Sequence, residues 1–306
     1  MRYGVKRAIE GTTFAQNGVV SRRQLLGMGA TRWQIMAELR AGRWRAHGRQ
    51  SIATHTGELN AGALLWYATF EAGPRSAIDG GSSLEAAGLA GFHFETVRVS
   101  VPRGAPAVKR LGLTVRQTRR LRQSDMTTVG LRRVRTEIAA VRAALWAATD
   151  RQAATILAMT VQQRLTTAEA IGRALLDVKR HRRRKFIERV ILDLLGGVQA
   201  IGELDFARLC RQYGLPEPDR QVVRRTSRGN AYLDVYWLAY HLVVEVDGIH
   251  HVWAQAVVSD ALRQNDVSLA SDIVLRLPLL GMRVAEAEFM QQVRHGLVAG
   301  GWQQAA

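Results

Sequence analysis

Two short segments near the N-terminus place apolar residues at helical spacing. The apolar positions are Leu25 and Leu26 in the first segment, and Trp33, Met36 and Leu39 in the second. Ser21 precedes the first segment with Gln24 three residues on, and Thr31 with Gln34 repeats this spacing before the second. Ser or Thr followed in this way by Gln is typical of a capping box at the start of a helix. We therefore predict two short helices, each with an apolar face, joined as in a helix-turn-helix.

The residues after the second predicted helix indicate a β-hairpin. RWRAHGRQSIAT alternates about Gly48, as the two strands of a wing do. On this interpretation the helix over 32–40 is the recognition helix of a winged helix-turn-helix domain. The arginines expected to contact nucleic acid are Arg32 and Arg40 on the helix, and Arg43, Arg45 and Arg49 on the wing. A basic helical pair that contacts only another protein is the alternative.

The pattern between residues 58 and 185 predicts a mixed, mostly helical segment. Helices are expected over 58–71, 82–87, 137–148, 151–164 and 167–181, with strands near 97–101 and 113–118. KRHRRRK, over 179–185, is the densest basic patch in the chain. We interpret it first as a solvated face between two domains and second as a phosphate contact.

Two segments rich in β-branched and aromatic residues, 232–237 and 242–247, predict a hairpin in the last third of the chain. If the chain folds back midway along the turn between them, Asp234 lies opposite Glu245, with Cβ atoms about 4.5 to 5.5 Å apart. Two facing carboxylates repel each other unless a cation compensates them. Mg²⁺ or Mn²⁺, which prefers hard oxygen ligands, is therefore the predicted cofactor. Asp247 shares a face with Glu245 by the strand's period of two and is a third predicted ligand.

Further polar residues near this hairpin complete the predicted active site. His250 and His251 follow Gly248 at the end of the second strand, where a histidine beside a metal-bound water suits a general base. SDALRQNDVSLASD predicts a helix that offers Arg263 to the scissile phosphate. The alternative for Arg263 is a surface ion pair with Asp260. The strand DIVLRLPLL and a helix after residue 285 are expected to finish an α/β layer.

Charge is unevenly distributed along the 306 residues. Residues 1–57 carry ten Lys or Arg and two acids, residues 58–185 carry 22 and ten, and residues 186–306 carry 11 and 14. These counts correspond to +8, +12 and −3, so the net charge of +17 comes from the first two thirds. Such an excess indicates a polyanionic partner held by the front of the chain. The slightly acidic last third fits a metal site built from carboxylates.

Two absences narrow the class of protein. The first residues contain no apolar signal-peptide core, and no run of about eighteen apolar residues occurs, so a cytoplasmic location is expected. A single cysteine, Cys210, excludes an internal disulfide and a cysteine-rich zinc site. Its helical spacing in LDFARLCRQYG predicts a buried thiol rather than a nucleophile.

Two parts of the chain resemble known families. GVVSRRQLL, the wing, RSAIDGGSSLEAAGL and VRVSVPRG resemble AbiEi-type antitoxin-like proteins, which implies DNA binding, autoregulation and a toxin or another defence-system protein as partner. FIERVILDLL, LDVYW, LVVEVDG, DALRQND and IVLRLPLLGMRV resemble the Vsr-like domain of unknown function, related to very-short-patch-repair endonucleases and the PD-(D/E)XK nuclease superfamily. This second resemblance implies an α-β-β-β-α-β core with metal-dependent phosphodiester cleavage. It also adds Glu188, an acid on an early helix, to the candidate catalytic residues.

The chain departs from the nuclease pattern at two points. Asp247 stands where the superfamily has a lysine, two residues after its second acid. The cysteine-rich zinc ligands of the repair endonucleases are also missing. Without the lysine, charge stabilisation has to come from Arg263, a histidine or a second metal.

Together these patterns predict a multidomain α+β protein. The expected domains are a winged helix-turn-helix over 1–57, a mixed antitoxin-like middle domain over 58–185, and a restriction-endonuclease-like α/β domain with a mixed central sheet over 186–306. The first functional hypothesis is a Mg²⁺- or Mn²⁺-dependent DNA endonuclease or nickase. The second is a non-enzymatic DNA-binding regulator of antitoxin type that keeps an inactive nuclease fold. The third is an RNA-binding or RNA-cleaving partner of a toxin.

Overall fold

A computed structural model describes residues 2–105, 108, 112–119, 121–202, 205–225, 231–247, 261–262 and 273–303. The chain divides into two compact units, Met1–Arg142 and Ala143–Ala306. Each unit contains helices and strands, so the expectation of a mixed α/β protein is confirmed. The three predicted domains, with boundaries after residues 57 and 185, stay a prediction.

The first unit contains helices near its N-terminus and two small sheets. Its helices are α1 (Tyr3–Ala15), α2 (Arg22–Gly27), α3 (Arg32–Arg40), α4 (Ala61–Ala72), α5 (Gly80–Ala86) and α6 (Thr136–Trp146), the last of which contains the boundary between the units. Its strands are β1 (Val19–Ser21), β2 (Arg45–Ala46), β3 (Ser51–Ala53), β4 (Ala77–Ile78), β5 (Val97–Pro102) and β6 (Leu113–Thr118). Sequence reasoning missed α1, because the residue before it, Arg2, makes no side-chain capping bond and only Ile9 and Thr13 of the helix are buried.

Both predicted capping boxes are present. The Ser21 hydroxyl accepts a hydrogen bond from the Gln24 backbone N–H at 3.1 Å, and the Thr31 hydroxyl accepts one from Gln34 at 3.2 Å. Each glutamine side chain in turn accepts from the backbone N–H of its capping residue at 2.9 Å. These reciprocal bonds satisfy N–H groups that have no partner inside a helix, so α2 and α3 begin where the sequence predicts.

A small apolar core joins the first helices to an antiparallel sheet with the strand order β1-β3-β2. The predicted hairpin is confirmed as β2 and β3, which pair Arg45 with Ala53. Buried core residues include Leu25 of α2, Ile35 of α3 and Ile52 of β3. The prediction that Trp33 and Met36 form the apolar face of α3 is wrong: they are 80% and 39% exposed, and Ile35 takes the core position.

The rest of the first unit surrounds a buried carboxylate. Strand β5 lies between β4, to which it is antiparallel, and β6, to which it is parallel. Asp79 begins α5 by accepting a hydrogen bond from the Gly80 backbone N–H at 2.7 Å. Its other oxygen accepts from Ser100 at 2.5 Å and from Arg142 at 2.7 Å. Arg142 also contacts Asp125 at 3.4 Å, so one guanidinium joins two acids inside the unit.

The second unit places a four-stranded sheet among helices. Its helices after α6 are α7 (Asp150–Gln162), α8 (Ala168–Leu176), α9 (Arg184–Gly202), α10 (Phe206–Gln212), α11 (Leu279–Val284) and α12 (Glu286–Ala299). Its strands are β7 (Arg220–Arg225), β8 (Ala231–Trp237), β9 (Leu242–Asp247) and β10 (Val274–Pro278). The expected helix over 167–181 ends earlier, at the end of α8, and the expected strand DIVLRLPLL turns into α11 after Pro278.

The sheet of the second unit has the order β10-β9-β8-β7, with β7, β8 and β9 antiparallel and β10 parallel to β9. One face is apolar and packs against α10 and α12. Its buried residues are Leu233, Val235, Trp237, Leu242, Val244, Val246, Leu275 and Leu277. Because side chains alternate along a strand, the residues between these belong to the opposite face. That opposite face carries the predicted acids.

The basic run over 179–185 is not a uniformly solvated face, which corrects the first interpretation of this patch. Arg183 is only 6% exposed. Its guanidinium donates to the Asp150 carboxylate at 2.7 Å and to the backbone carbonyls of Ala147 and Ala148, just after α6. A cation that satisfies the last carbonyls of a helix stabilises its C-terminal end. Arg183 therefore has a structural role, and Lys179, Arg182 and the other exposed members remain accessible.

Cys210 is buried in α10, as predicted. Burial raises the pKa of its thiol to about 12, and the nearby Glu217 carboxylate adds to this effect. Thiolate is the reactive form, so we expect Cys210 at pH 8 to react with dithionitrobenzoate at least about 100-fold more slowly in the native protein than in guanidinium chloride. The absorbance of the released thionitrobenzoate measures both rates. Equal rates would contradict the buried position.

Candidate functional site

The predicted acid pair is present on the two central strands of the second unit. Asp234 of β8 lies directly opposite Glu245 of β9 in the antiparallel register. This confirms the pairing derived from the hairpin's turn. Asp234 is 8% exposed, and its carboxylate accepts a hydrogen bond from the Tyr236 hydroxyl at 3.3 Å. Two carboxylates therefore meet on one face of a sheet whose other face is apolar.

Residues of all four strands form one row across this face. Val222 of β7 pairs with Asp234, Asp234 with Glu245, and Glu245 with Arg276 of β10. Directly paired residues on neighbouring strands project from the same face. We call Asp234, Glu245 and Arg276 the carboxylate row. It combines two acids and one cation on three adjacent strands.

Arg276 is the immediate partner of the second acid. Its Nε–H donates to the Glu245 carboxylate at 3.2 Å. The side chains of Arg276 and Glu245 are 59% and 35% exposed, so solvent screens the pair and its net contribution to stability is small, about 0 to 1 kcal/mol. Sequence reasoning missed Arg276, because its strand was predicted only as part of the α/β layer. The signal was a charged residue inside the apolar run IVLRLP.

The structure describes the other predicted residues of this site only in part. Asp247 lies two residues after Glu245 on β9, toward the end of the strand away from the turn. Its backbone pairs with Tyr232 of β8 and Pro278 of β10. The Asp247 side chain lies outside what the structure describes. His250, His251 and Arg263 also lie outside the described residues.

Glu188 lies on α9 in an ion pair with Arg184, at 3.2 Å and one helical turn away. Its side chain is 46% exposed. Among the described contacts none joins Glu188 to Asp234 or Glu245, although α9 packs against β8. A second acid of α9, Asp193, is buried and receives two hydrogen bonds from Arg283 of α11. Asp193 was not predicted, and its paired geometry ties α9 to α11.

The donor chemistry of the carboxylate row fits a hard divalent cation. Carboxylate oxygens are the ligands that Mg²⁺ and Mn²⁺ prefer, and Mg²⁺ commonly binds through one or two carboxylates plus water and phosphate oxygens. Asp234 and Glu245 supply such a pair. Within the described part of the chain no group of three or more His, Cys, Asp or Glu residues is arranged to hold a metal. The two acids would therefore hold the ion together with water or a phosphate.

Two comparisons with known proteins found no match for the chain. No protein-family model matches it, and no curated protein sequence matches it significantly. The function is therefore inferred from the residues and their geometry. Within the described residues, no helix is long and apolar enough to span a membrane.

A second candidate surface lies on α3 of the first unit. Arg32 and Arg40 are exposed at the two ends of this helix. Trp33 and Met36 lie between them and are also exposed. An exposed helical face that combines arginines with an indole offers cations for phosphates and an apolar surface for bases. Trp33 was expected in the core, so sequence reasoning missed its place on this face.

The three predicted wing arginines are exposed, but two of them have carboxylate partners. Arg43 donates to Glu38 at 2.6 Å and thereby lowers the pKa of that carboxyl group. Arg45 donates to Glu58 at 3.0 Å. Exposed ion pairs contribute little, so either arginine can exchange its carboxylate for a phosphate at small cost.

The hairpin is held by a buried acid that sequence reasoning also missed. Glu71 of α4 is 6% exposed. Its carboxylate accepts hydrogen bonds from the backbone N–H groups of Arg49, Gln50 and Ser51 at 3.1, 2.7 and 3.0 Å, and from the Ser51 hydroxyl at 2.9 Å. A Cβ atom at position 48 would lie 2.4 Å from this carboxylate, so Gly48 allows the close approach. Glu71 therefore fixes the tip of the hairpin that carries Arg45 and Arg49.

Proposed function

We propose that the protein is a metal-dependent DNA endonuclease or nickase, with its catalytic acids in the carboxylate row and its DNA-holding surface on the first unit. The observation that carries this proposal is the direct cross-strand pairing of Asp234 with Glu245. Facing acids on central strands are costly unless a cation compensates them. Asp234 is 8% exposed and the Glu245 side chain is 35% exposed, so a phosphate would approach the row from the side of Glu245.

The described residues have distinct roles in this proposal. Asp234 and Glu245 would hold Mg²⁺ or Mn²⁺ by their carboxylate oxygens. When bound, such an ion lowers the pKa of an attacking water and stabilises charge on the phosphorus centre. The Tyr236 hydroxyl, 3.3 Å from Asp234, orients that carboxylate. Asp247, His250, His251 and Arg263 stay in the proposal as a third ligand, general bases and a phosphate contact.

The arrangement of the first unit supports DNA binding through a winged helix. Two capped helices, α2 and α3, precede the β2–β3 hairpin, in the order of a winged helix-turn-helix. The exposed face of α3 would enter a groove, and Arg43, Arg45 and Arg49 would contact phosphates. The excess of basic residues over the first 185 positions supplies the long-range attraction.

Nicking of supercoiled plasmid DNA tests this proposal. We expect conversion to open circles with Mg²⁺ or Mn²⁺ and none with EDTA. Glu245→Gln should lower the rate by more than about 100-fold, because even the outer-shell partners of metal ligands contribute about 10- to 100-fold. Glu288→Gln, an exposed acid on α12 of the same unit, is the matched control and should cleave like the native protein. Cleavage that persists in EDTA, or in Glu245→Gln, would overturn the assignment.

A DNA-binding regulator of antitoxin type is the second candidate function. It is favoured by one observation: Glu245 already has a cationic partner in Arg276, at 3.2 Å. Because Arg276 compensates the charge of Glu245, the sheet stays folded without a metal ion. The regulator would bind duplex DNA equally well with Mg²⁺ and with EDTA, with a strong salt dependence and no cleavage. The same plasmid assay, combined with a DNA-binding titration, separates the two functions.

A further inference from the structure

The proposed active site lacks a cation at the position where the nuclease pattern places a lysine. That position, two residues after Glu245, is occupied by Asp247. The sequence thus has an acid, not a cation, at this position. Phosphoryl chemistry needs positive charge near the non-bridging oxygens, so a cation has to reach the row from elsewhere in the fold.

Arg276 brings such a cation to the row from a neighbouring strand. The parallel pairing of β10 with β9 sets Arg276 directly beside Glu245, and Glu245 is directly beside Asp234. Neighbouring strands are about 4.8 Å apart, so Arg276 starts about two strand spacings from Asp234. A long arginine side chain covers that span. Its bond to Glu245 shows that the guanidinium turns toward the acids and not away along β10.

We propose that Arg276 supplies the positive charge that the missing lysine would provide, and that it contacts a non-bridging oxygen of the bound phosphodiester. This inference rests on the proposed nuclease function and adds a residue to its active site. The guanidinium has five N–H donors in a rigid fork. One of them, on Nε, engages Glu245 in the described structure. The same planar group binds phosphate oxygens with two parallel bonds where its fork is presented to them.

The charge of Arg276 has a second, measurable consequence. A guanidinium beside Glu245 repels any divalent cation that the acids hold, because like charges close together raise the energy of the bound state. Arg276 therefore weakens metal binding while it strengthens phosphate binding. A side chain that only oriented Glu245 would do the opposite, since its loss would disorder a ligand and weaken metal binding. The direction of the change in metal affinity separates the two roles.

Substitutions of Arg276 test the proposal with two readouts. Arg276→Gln removes the charge but keeps polar N–H donors, and Arg276→Lys keeps the charge. We expect Arg276→Gln to cleave plasmid about 100-fold more slowly, the cost of losing one charged group that stabilises the transition state, and Arg276→Lys to stay within about 10-fold of the native rate. Calorimetric titration with Mn²⁺ should give a three- to tenfold lower Kd for Arg276→Gln. Circular dichroism spectra confirm that each variant is folded.

Arg220→Gln is the matched control. Arg220 is an exposed arginine of β7, paired with Tyr236 on the same sheet face but outside the row. Its loss should leave both readouts unchanged.

If Arg276→Gln cleaves plasmid as fast as the native protein, the role of Arg276 is wrong and the nuclease function stands. If the protein does not cleave DNA but binds Mn²⁺ through Glu245, and binds it more tightly in Arg276→Gln, the nuclease function is wrong. The effect of the Arg276 charge on metal binding then stands. Mn²⁺ binding that weakens in Arg276→Gln overturns the charge role, and native protein without cleavage or Mn²⁺ binding overturns both.

Discussion

Replacing Asp79 by alanine is expected to destabilise the first unit by about 3 to 5 kcal/mol, the usual cost of removing one partner of a buried ion pair. Asp79 is fully buried. The substitution deprives three donors of their acceptor: the Gly80 backbone N–H, the Ser100 hydroxyl and the Arg142 guanidinium. Each buried donor without a partner adds a desolvation cost, and the cost is highest for the charged one.

The positively charged groups around Asp79 raise the cost of removing its carboxylate. Arg142 loses its closer carboxylate and keeps the longer contact with Asp125, at 3.4 Å. Burial and the neighbouring Arg116 already lower the pKa of the half-buried Arg98 guanidinium, while Asp79 raises it. Removing Asp79 thus leaves an excess of positive charge in a region with little solvent. The N-terminus of α5 also loses its capping side chain.

Hydrogen exchange measured at increasing urea concentrations, in the peptides that contain β4, α5 and β5, gives the size of the effect. Hydrogen exchange measures the free energy of unfolding of the first unit separately. This is needed because a chain with two units need not unfold in one step. Glu58→Gln is the control: it breaks the exposed pair with Arg45, and we expect a change below about 1 kcal/mol. An Asp79→Ala protein with native protection in these peptides would show that the buried pair is dispensable.

Local signals in the sequence predicted much of the secondary structure. Capping boxes at Ser21 and Thr31 act over three residues, so the starts of α2 and α3 follow from the sequence alone. Strands β5 and β6 lie where alternating apolar residues placed them. The ends of helices were less accurate: α8 ends about one turn early, since the basic residues that follow it fit a helix and a loop equally well.

The pairing of Asp234 with Glu245 also followed from sequence, for a geometric reason. A short turn fixes the register of an antiparallel pair, and the period of two then decides which residues share a face. The turn is a 3₁₀ turn over Leu238–Tyr240, completed by His241 in the left-handed conformation. Position and face of the two acids were therefore calculable. Their partner Arg276 was not, because the parallel register of β10 depends on a crossover that no local pattern specifies.

Residues that act over long sequence separations were missed for the same reason. Glu71 lies in an apolar helix, where a lone acid looks like a solvated position, yet its acceptor role spans about twenty residues back to the hairpin. Asp79 and Arg142 are 63 residues apart. Trp33 was assigned to the core by periodicity, but Ile35 fills that place. Tertiary contact decides which of several compatible faces is buried.

Replacing Glu71 by alanine is expected to release the tip of the β2–β3 hairpin and to weaken DNA binding. Three backbone N–H groups and one hydroxyl lose their acceptor. Hydrogen bonds to a charged group contribute about 1.5 to 3 kcal/mol each, and those to one carboxylate are not additive. We therefore expect the amides of Arg49, Gln50 and Ser51 to exchange with a free energy of opening lower by at least about 3 kcal/mol. Hydrogen exchange followed by NMR measures this directly.

The effect on DNA tests whether the hairpin is part of the binding surface. If Arg45 and Arg49 contact phosphates, a mobile hairpin reduces the slope of log K against log salt concentration by about two, one for each lost contact. Fluorescence anisotropy at several salt concentrations gives that slope for Glu71→Ala and for Glu10→Ala, a control on the exposed face of α1. Glu71→Gln keeps one acceptor oxygen and should fall between them. Rapid amide exchange with an unchanged salt slope would show that DNA does not contact the hairpin. The holding surface would then be reduced to the exposed face of α3, with Arg32, Trp33 and Arg40.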